Sequence, residues 1–348
     1  MSVSILGISC YYHDSAASLI IDGEIKSAVQ EERFSRKKND SKFPSDSIAY
    51  ILKKNNLKLT EITHIVFYEK PFLKFTRLLE TYLSNAPFGF SSFKKAVPIW
   101  IKEKLFQKKQ IIEELKMIDQ NFSGEILFSE HHASHAASAF YPSPFEESLI
   151  LTLDAVGEYT TSSIAIGKGN KINFKKKINY PHSLGMLYSS FTYYCGFKVN
   201  EGEYKLMGLA PFGKPKYAQK IFDKLIYVYE DGSFALNMEF FDFSTGLKMI
   251  NNKFEKLFER EAKLPGDNFE QFHMDIAASI QKVTEEIILK ICKHYQKKYN
   301  LKNICLAGGV ALNCVANGKI LESKIFENIW IQPAAGDAGG SLGAALCI

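Results

Sequence analysis

Two stretches of this chain follow one plan. "VSILGISCYYHDSAASLIIDGEIKSA" near the N-terminus is matched by "ESLILTLDAVGEYTTSSIAIGKGNKI" in the second half. Ile5, Leu6, Ile8, Leu19 and Ile21 fall on Ile150, Leu151, Leu153, Ile164 and Ile166, a constant offset of 145. Each stretch reads as a strand, a polar turn, a second strand and a hairpin into a third; in the first copy the hairpin turn is Asp22-Gly23. The turn residues Ser15, Ala16 and Ala17 align with Thr160, Thr161 and Ser162. Apolar residues in strands coincide easily. The shared turn and the shared hairpin are what make this an internal duplication. A duplicated strand–turn–strand unit predicts an α/β chain with two equivalent lobes, 1–145 and 146–348.

Between the copies the signals are helical. "PSDSIAYILKKNNL" opens on a Ser-Asp capping signal and carries apolar residues at helical spacing. Residues 70–125 mix aromatic and basic residues and predict an inserted set of helices with a loop around "NAPFGFSS". In the second lobe, 226–265 gives weak signals read as strands with turns. "DNFEQFHMDIAASIQKVTEEIILKICKHYQKKY" predicts one long amphipathic helix. "KNICLAGGVALNCVANGKILES" and "NIWIQPAAGDAGGSLGAALCI" each read as a strand, a glycine-rich turn and a helix. The chain ends on an apolar helix with no cap, so a further C-terminal segment is expected.

With 46% hydrophobic and 23% charged residues, the chain can bury a sizeable core. A net charge of +5 gives no strong nucleic-acid footprint. No apolar run reaches membrane-spanning length, and "MSVSILGISCYYHDS" lacks the basic start of a signal peptide. The six cysteines form no CxxC pair and suit a reducing, cytoplasmic setting.

Three groups of residues carry chemistry. The turns "SCYYHDSAAS" and "LDAVGEYTT" offer backbone N–H groups to an anion. In duplicated positions, facing each other, they would clamp a polyphosphate between lobes. In "LAGGVALNCVAN", Gly308 and Gly309 let backbone approach a ligand, and the next helix turns its N-terminus to it. Asn313 and Asn317, four apart, are read onto one face of that helix, to contact a base or ribose or simply to face solvent. Asp337 stands at the mouth of "AAGDAGGSLGAA", where an aspartate is ordinarily an N-cap. Third, "SEHHASHAASAF" predicts a helix capped by Ser129 and ending before Pro142. His131 and His135 lie one turn apart on one face, and His132 points about 100° away. His132 and His135 converge less directly. Spacing alone leaves open a metal chelate or a structural helix. The HExxH glutamate of a zinc protease is missing. A carboxylate as third ligand would suit Fe(II), with Zn(II) and water as the rival.

Taken in order, "GISCYYHDSAASLIIDG", "EERFSRKKNDSKFP", "EHHASHAASAFYPSPF", "LDAVGEYTT", "EGEYKLMGLAPFG", "LAGGVALNCVANGK" and "GDAGGSLGAA" resemble the nodulation-protein-type O-carbamoyltransferases, the family that includes the tobramycin carbamoyltransferase. The resemblance covers nearly the whole chain. It implies an actin/hexokinase-like two-lobe nucleotide-binding fold. It also implies a C-terminal carbamoyl-adenylate synthase-like domain in the full-length protein, absent from these residues. That domain would make carbamoyl-adenylate from carbamoyl phosphate and ATP, and the present chain would pass the carbamoyl group to a hydroxyl of a small molecule, sugar or natural product. The implied iron ligands are His131, His135 and Asp337. The adenylate would lie among Asp154, Gly157 and Glu158, then Glu203 and Lys205, and then Gly308, Gly309, Asn313 and Asn317. Ala155 stands where a glycine is more usual, and Ser9 matches Asp154 in the duplicate, so the two turns differ chemically. His13 and Asp14 are the candidate bases, and Lys38 or Arg36 would meet phosphate or the carbamoyl oxygen. The competing readings are threonylcarbamoyl transfer to tRNA, a nucleotide-binding protein without transfer activity, and a sugar kinase, which would not need the histidine pair.

Overall fold

The computed structural model describes residues 2–101 and 105–348. Elements are numbered in chain order. The first sheet is built from β1 (Ser4–Ser9), β2 (Ala16–Ile21), β3 (Glu24–Gln30), β4 (His64–Phe67) and β5 (Ile126–Phe128), in the order β3-β2-β1-β4-β5. Around it lie α1 (Glu32–Ser35), α2 (Ser45–Lys54), α3 (Pro71–Ser84), α4 (Phe90–Trp100) and α5 (Gln107–Ile118), followed by α6 (His131–Phe140). The second half gives β6 (Glu147–Leu153), β7 (Thr160–Lys168), β8 (Lys171–Asn179), α7 (Leu184–Tyr194), α8 (Glu203–Leu209), α9 (Ala218–Lys224), β9 (Ile226–Val228), β10 (Phe234–Leu236), α10 (Asn252–Leu257), α11 (Gln271–Tyr299), β11 (Asn303–Ala307), α12 (Cys314–Ser323), β12 (Asn328–Ile331) and α13 (Asp337–Leu346). Its sheet runs β8-β7-β6-β11-β12, the same path as the first.

The duplication extends to hydrogen-bond register. Ile5 pairs with Ile20 between β1 and β2, and Ile150 pairs with Ala165 between β6 and β7. Adding 145 to one pair gives the other. In both sheets the first strand is antiparallel to the second and parallel to the fourth. This is the actin/hexokinase-like, duplicated α/β plan expected from the sequence. The Asp22-Gly23 turn has positive φ at both residues (51° and 82°), as a tight hairpin between right-twisted strands requires.

The halves exchange one helix each. α6 follows β5 but packs on the second sheet, where Ala136, Ala139 and Phe140 share a core with Ile150, Ala165 and Cys305. α13 follows β12 but packs on the first sheet, where Leu342 and Ala345 meet Ile20. The two helices touch each other so closely that a Cβ on Gly343 would sit 1.7 Å from the carbonyl oxygen of Ser134. Nearly every α6 residue is therefore buried, which explains its alanine and serine content.

Several local expectations are corrected. The N-cap of α6 is Glu130, not Ser129, whose hydroxyl contacts Ser134 and the Phe67 carbonyl instead. Asn313 precedes α12 and caps it by accepting from Ala316 N at 3.0 Å, so it does not share a helix face with Asn317. Asp337 is the first residue of α13 and its side chain makes no cap. The long helix α11 begins at Gln271, several residues after the expected start. Residues 226–265 hold one short hairpin and a short helix rather than strands throughout. Within 70–125, helix α4 resumes at Phe90, inside the expected loop, and residues 102–104 lie outside the described residues. No helix among the described residues is long and apolar enough to cross a membrane.

Candidate active site

The cleft opens at the carboxyl ends of the parallel strands of both sheets, the edge where open α/β folds bind ligands. Each strand end delivers a polar group. The turn after β1 carries His13 and Asp14; β4 leads into Tyr68 and Glu69, and β5 into His131. The ends of β6, β11 and β12 lead into Asp154, Gly308-Gly309 and Asp337.

At the floor, where α6 meets α13, four buried side chains converge. Donor atoms of His131, His135, Asp154 and Asp337 all lie within 4.8 Å of one another. His131 Nε2 is 3.0 Å from His135 Nε2, 3.1 Å from an Asp154 oxygen and 3.6 Å from an Asp337 oxygen. His135 Nε2 is 3.7 Å from the same Asp337 oxygen. Tyr68 donates its hydroxyl to the other oxygen of Asp337 at 3.1 Å, and Gly309 N donates to Asp154 at 3.1 Å. The Nδ1 atoms of both histidines are buried without a partner, and both Nε2 atoms point into the cluster.

This donor set fits a divalent cation. Two buried carboxylates close together repel, and the two inward Nε2 atoms offer lone pairs to a cation when they are not protonated. A cation among them offsets that repulsion and accepts those lone pairs, and nitrogen with oxygen donors suits Fe(II), Zn(II) and their neighbours. His132 is turned away onto Ser163, 3.1 Å from its hydroxyl. Burial and the neighbouring histidines hold its pKa well below the usual value. Burial would also lower His131, but Asp337 and Asp154 outweigh it and raise the imidazole to about 9. His13 behaves alike: burial opposes its charge, yet Asp337 and the 2.8 Å bond to Asp14 raise it to about 9. Its Nε2 is 3.9 Å from Asp337.

Above the floor lies a cavity of about 590 Å³. Of the residues singled out from sequence, His13, Asp14, Lys38, Asp154, Glu203, Gly309 and Asn313 line it. Gly308, at φ 90°, supports it from behind: a Cβ there would sit 2.2 Å from the Leu153 carbonyl oxygen. Asn313 is held by two hydrogen bonds to Gln281, at 2.9 and 3.1 Å. Lys38 places its ammonium 4.2 Å from the centre of the Tyr204 ring, and Asn39 donates to the Asn200 carbonyl at 3.3 Å. Loops from the two halves thus meet over the cavity.

Other candidates stand elsewhere. Glu203 lines the cavity but spends its carboxylate on Ser189, Asn200 N and Gly202 N, holding the loop. Lys205 does not line the cavity, and Asn317 donates to the Ala311 carbonyl. Gly157 and Glu158 face α6 instead of the cavity. Glu158 accepts from His131 N at 3.0 and 3.1 Å and from Lys70 N at 2.7 Å. The carboxylate of one half therefore caps the histidine helix delivered by the other, a favourable place for negative charge. A Cβ on Gly157 would crowd the His131 side chain at 3.0 Å. Sequence reasoning missed Tyr68 and the membership of Asp154 in the floor cluster. The signal for Asp154 was its position: an acid at a strand's carboxyl end, where the duplicate has Ser9.

The profile of the family described as "Carbamoyltransferase N-terminus" matches residues 4–346. An uncharacterized protein of Synechocystis sp. is 55% identical over 347 residues, covering 99% of this chain and 56% of that protein. The nodulation protein NolNO of Sinorhizobium fredii is 35% identical over 337 residues, covering 97% of this chain and 46% of that protein. The chain thus spans about half the length of the curated relatives it matches.

Proposed function

Because the chain belongs to the carbamoyltransferase N-terminus family, we propose that it transfers a carbamoyl group from carbamoyl-adenylate to an alcohol, at a metal held by His131, His135, Asp337 and Asp154. The observation that carries this reading is the convergence of those four donors at the floor of a cavity of nucleotide-accommodating size. In this reading a synthase-like partner domain makes the adenylate from carbamoyl phosphate and ATP.

The adenylate occupies the 590 Å³ cavity, with its base and ribose towards Asn313 and Leu312 and its phosphate towards the floor. A divalent cation, Fe(II) in the first instance, would take up negative charge on the phosphate as it departs. The acceptor oxygen forms a bond to the carbamoyl carbon, the bond from that carbon to the phosphate oxygen breaks, and AMP leaves. A cation beside Asp337 would remove the charge that raises His13, and the hydroxyl proton then passes to the His13–Asp14 pair, which lines the cavity beside Asp337. Lys38, poised on the Tyr204 ring, neutralises the carbamoyl oxygen or the phosphate.

The test supplies synthetic carbamoyl-adenylate and a panel of alcohols to the metal-loaded protein and follows carbamate and AMP together. Equal amounts of both, falling at least about 100-fold in His13→Ala, are expected. AMP release with no carbamate from any alcohol would argue for hydrolysis or an idle nucleotide site instead.

A further inference from the structure

One buried cation, Arg77, has no carboxylate in contact among the described residues. Arg77 and Lys74 lie three residues apart on α3 and both point inward, 6% and 8% exposed. Lys74 is accounted for, since its ammonium meets Glu69 at 2.6 Å. Arg77 makes no hydrogen bond or ion pair with any described residue, and its Nε is buried without a partner. Its guanidinium lies 4.7 Å from the centre of the Tyr180 ring, which covers one face. Burial holds its pKa below the ordinary arginine value despite Tyr180, Tyr12, Glu69 and Glu158 nearby. A buried charge without a hydrogen-bonded partner is costly and is retained where a ligand supplies the missing charge.

The position of Arg77 says which ligand. Neither it nor Lys74 lines the nucleotide cavity. Lys74 lies 5.1 Å from the Tyr12 ring, Tyr12 packs on His13 at 4.6 Å, and His13 reaches Asp337. Lys74 thus leads through Tyr12 and His13 to the reacting centre, and Arg77 stands one helical turn further along α3, outside the nucleotide cavity. That region is walled by both halves: Ser92 of α4 bonds the Thr245 carbonyl, and the Tyr180 hydroxyl bonds the Phe243 carbonyl. We propose that Arg77, backed by Lys74, binds an oxyanion, and that this oxyanion is a carboxylate or phosphate carried by the acceptor alcohol. The oxyanion site stands on the geometry of Arg77; its assignment to the acceptor rests on the transfer reading above.

Thermal melts in inorganic phosphate test the site without any turnover. The wild type should gain several degrees in millimolar phosphate, Arg77→Met should gain clearly less, and Lys168→Ala, an exposed lysine of β7 paired with Glu147, should keep the gain. Without phosphate, Arg77→Met should melt within a few degrees of wild type, because the arginine gives up only its stacking on Tyr180. An equal phosphate gain in Arg77→Met, no gain in the wild type, or a markedly lower melt for Arg77→Met without phosphate would each overturn the site. Matched alcohols with and without a phosphate ester or a carboxylate then test the source. Binding of the anionic member tighter by about tenfold, lost in Arg77→Met, is expected. Equal binding of the matched alcohols, with the phosphate gain intact, would overturn the acceptor assignment and leave the transfer reading standing.

Discussion

The three histidines of "SEHHASHAASAF" end in different chemical states because α6 sits between a sheet and a helix. His131 and His135 face two carboxylates, and His132 faces a serine. The helical period alone separated His132 from His131, but it could not name a carboxylate 200 residues away or a second one at the end of β6. His135→Ala should lose bound metal and His132→Ala should keep it, measured as metal per chain after purification. The reverse pattern would sink the ligand set. The metal-free protein carries a second signature. His13 and His131 are raised to about 9, so between about pH 6.5 and 9 the folded state holds protons that the unfolded state releases. That stability is complete below pH 6.5 and fades as pH climbs through 9. His132 is lowered and acts only below its unfolded value, outside this window. Metal-free protein should therefore melt at lower temperature at pH 9 than at pH 6.5, and metal should flatten the dependence, because a cation beside Asp337 removes the charge that raises both imidazoles. A flat metal-free profile would show that these histidines do not hold protons in the fold.

Among the elements, strands and long helices were legible and caps were not. A short apolar run bounded by turn residues marks a buried strand from local sequence, whereas a cap depends on what tertiary structure brings near. Glu158 caps α6 from the other half of the chain, with 27 residues and a change of sheet between them. No reading of the sequence around "SEHH" exposes that, and Ser129, the expected cap, is drawn away to Ser134. The glycines of α13 show the same limit. "GDAGGSLGAA" reads as a glycine-rich turn into a helix, but Gly343 of α13 and Gly7 of the facing strand β1 are small because elements meet there: added Cβ atoms would sit 1.7 Å from the Ser134 carbonyl oxygen and 1.9 Å from that of Ser341. Gly343→Ala should push α6 and α13 apart. A loss of about 1–3 kcal/mol in a denaturant melt is expected, with overpacking as the cause. Metal affinity should fall with it, since the ligands lie on the two helices being separated. A neutral Gly343→Ala would mean the crossing relaxes freely and does not set the spacing of the two helices.

The whole molecule carries the duplication most plainly, because a 145-residue offset recurs in register, strand order and turn position. What the duplication hides is the asymmetry laid on it. Each half gives one helix to the other's sheet, and three of the four proposed ligands ride on those exchanged helices, two histidines on α6 and an aspartate on α13, while Asp154 follows β6. The floor of the cleft is therefore shared, while its roof rests on 3.3 Å contacts, Asn39 to the Asn200 carbonyl and Asn200 to the Tyr12 hydroxyl, and on Lys38 over Tyr204. Long hydrogen bonds between exposed loops contribute little net stability, so the roof should open locally far more often than the floor. A nucleotide filling the cavity would touch both loops and the floor at once. Hydrogen exchange with and without AMP reads this directly: protection should rise in residues 36–40 of one half and 199–204 of the other together, and change little in β1 or β6. At about 100 times its dissociation constant the ligand adds about 2.7 kcal/mol to global stability, and Lys38→Ala should weaken both protections alike. Protection confined to one loop would place the nucleotide on a single half and break the link drawn between the duplicated fold and a cleft that works as one site.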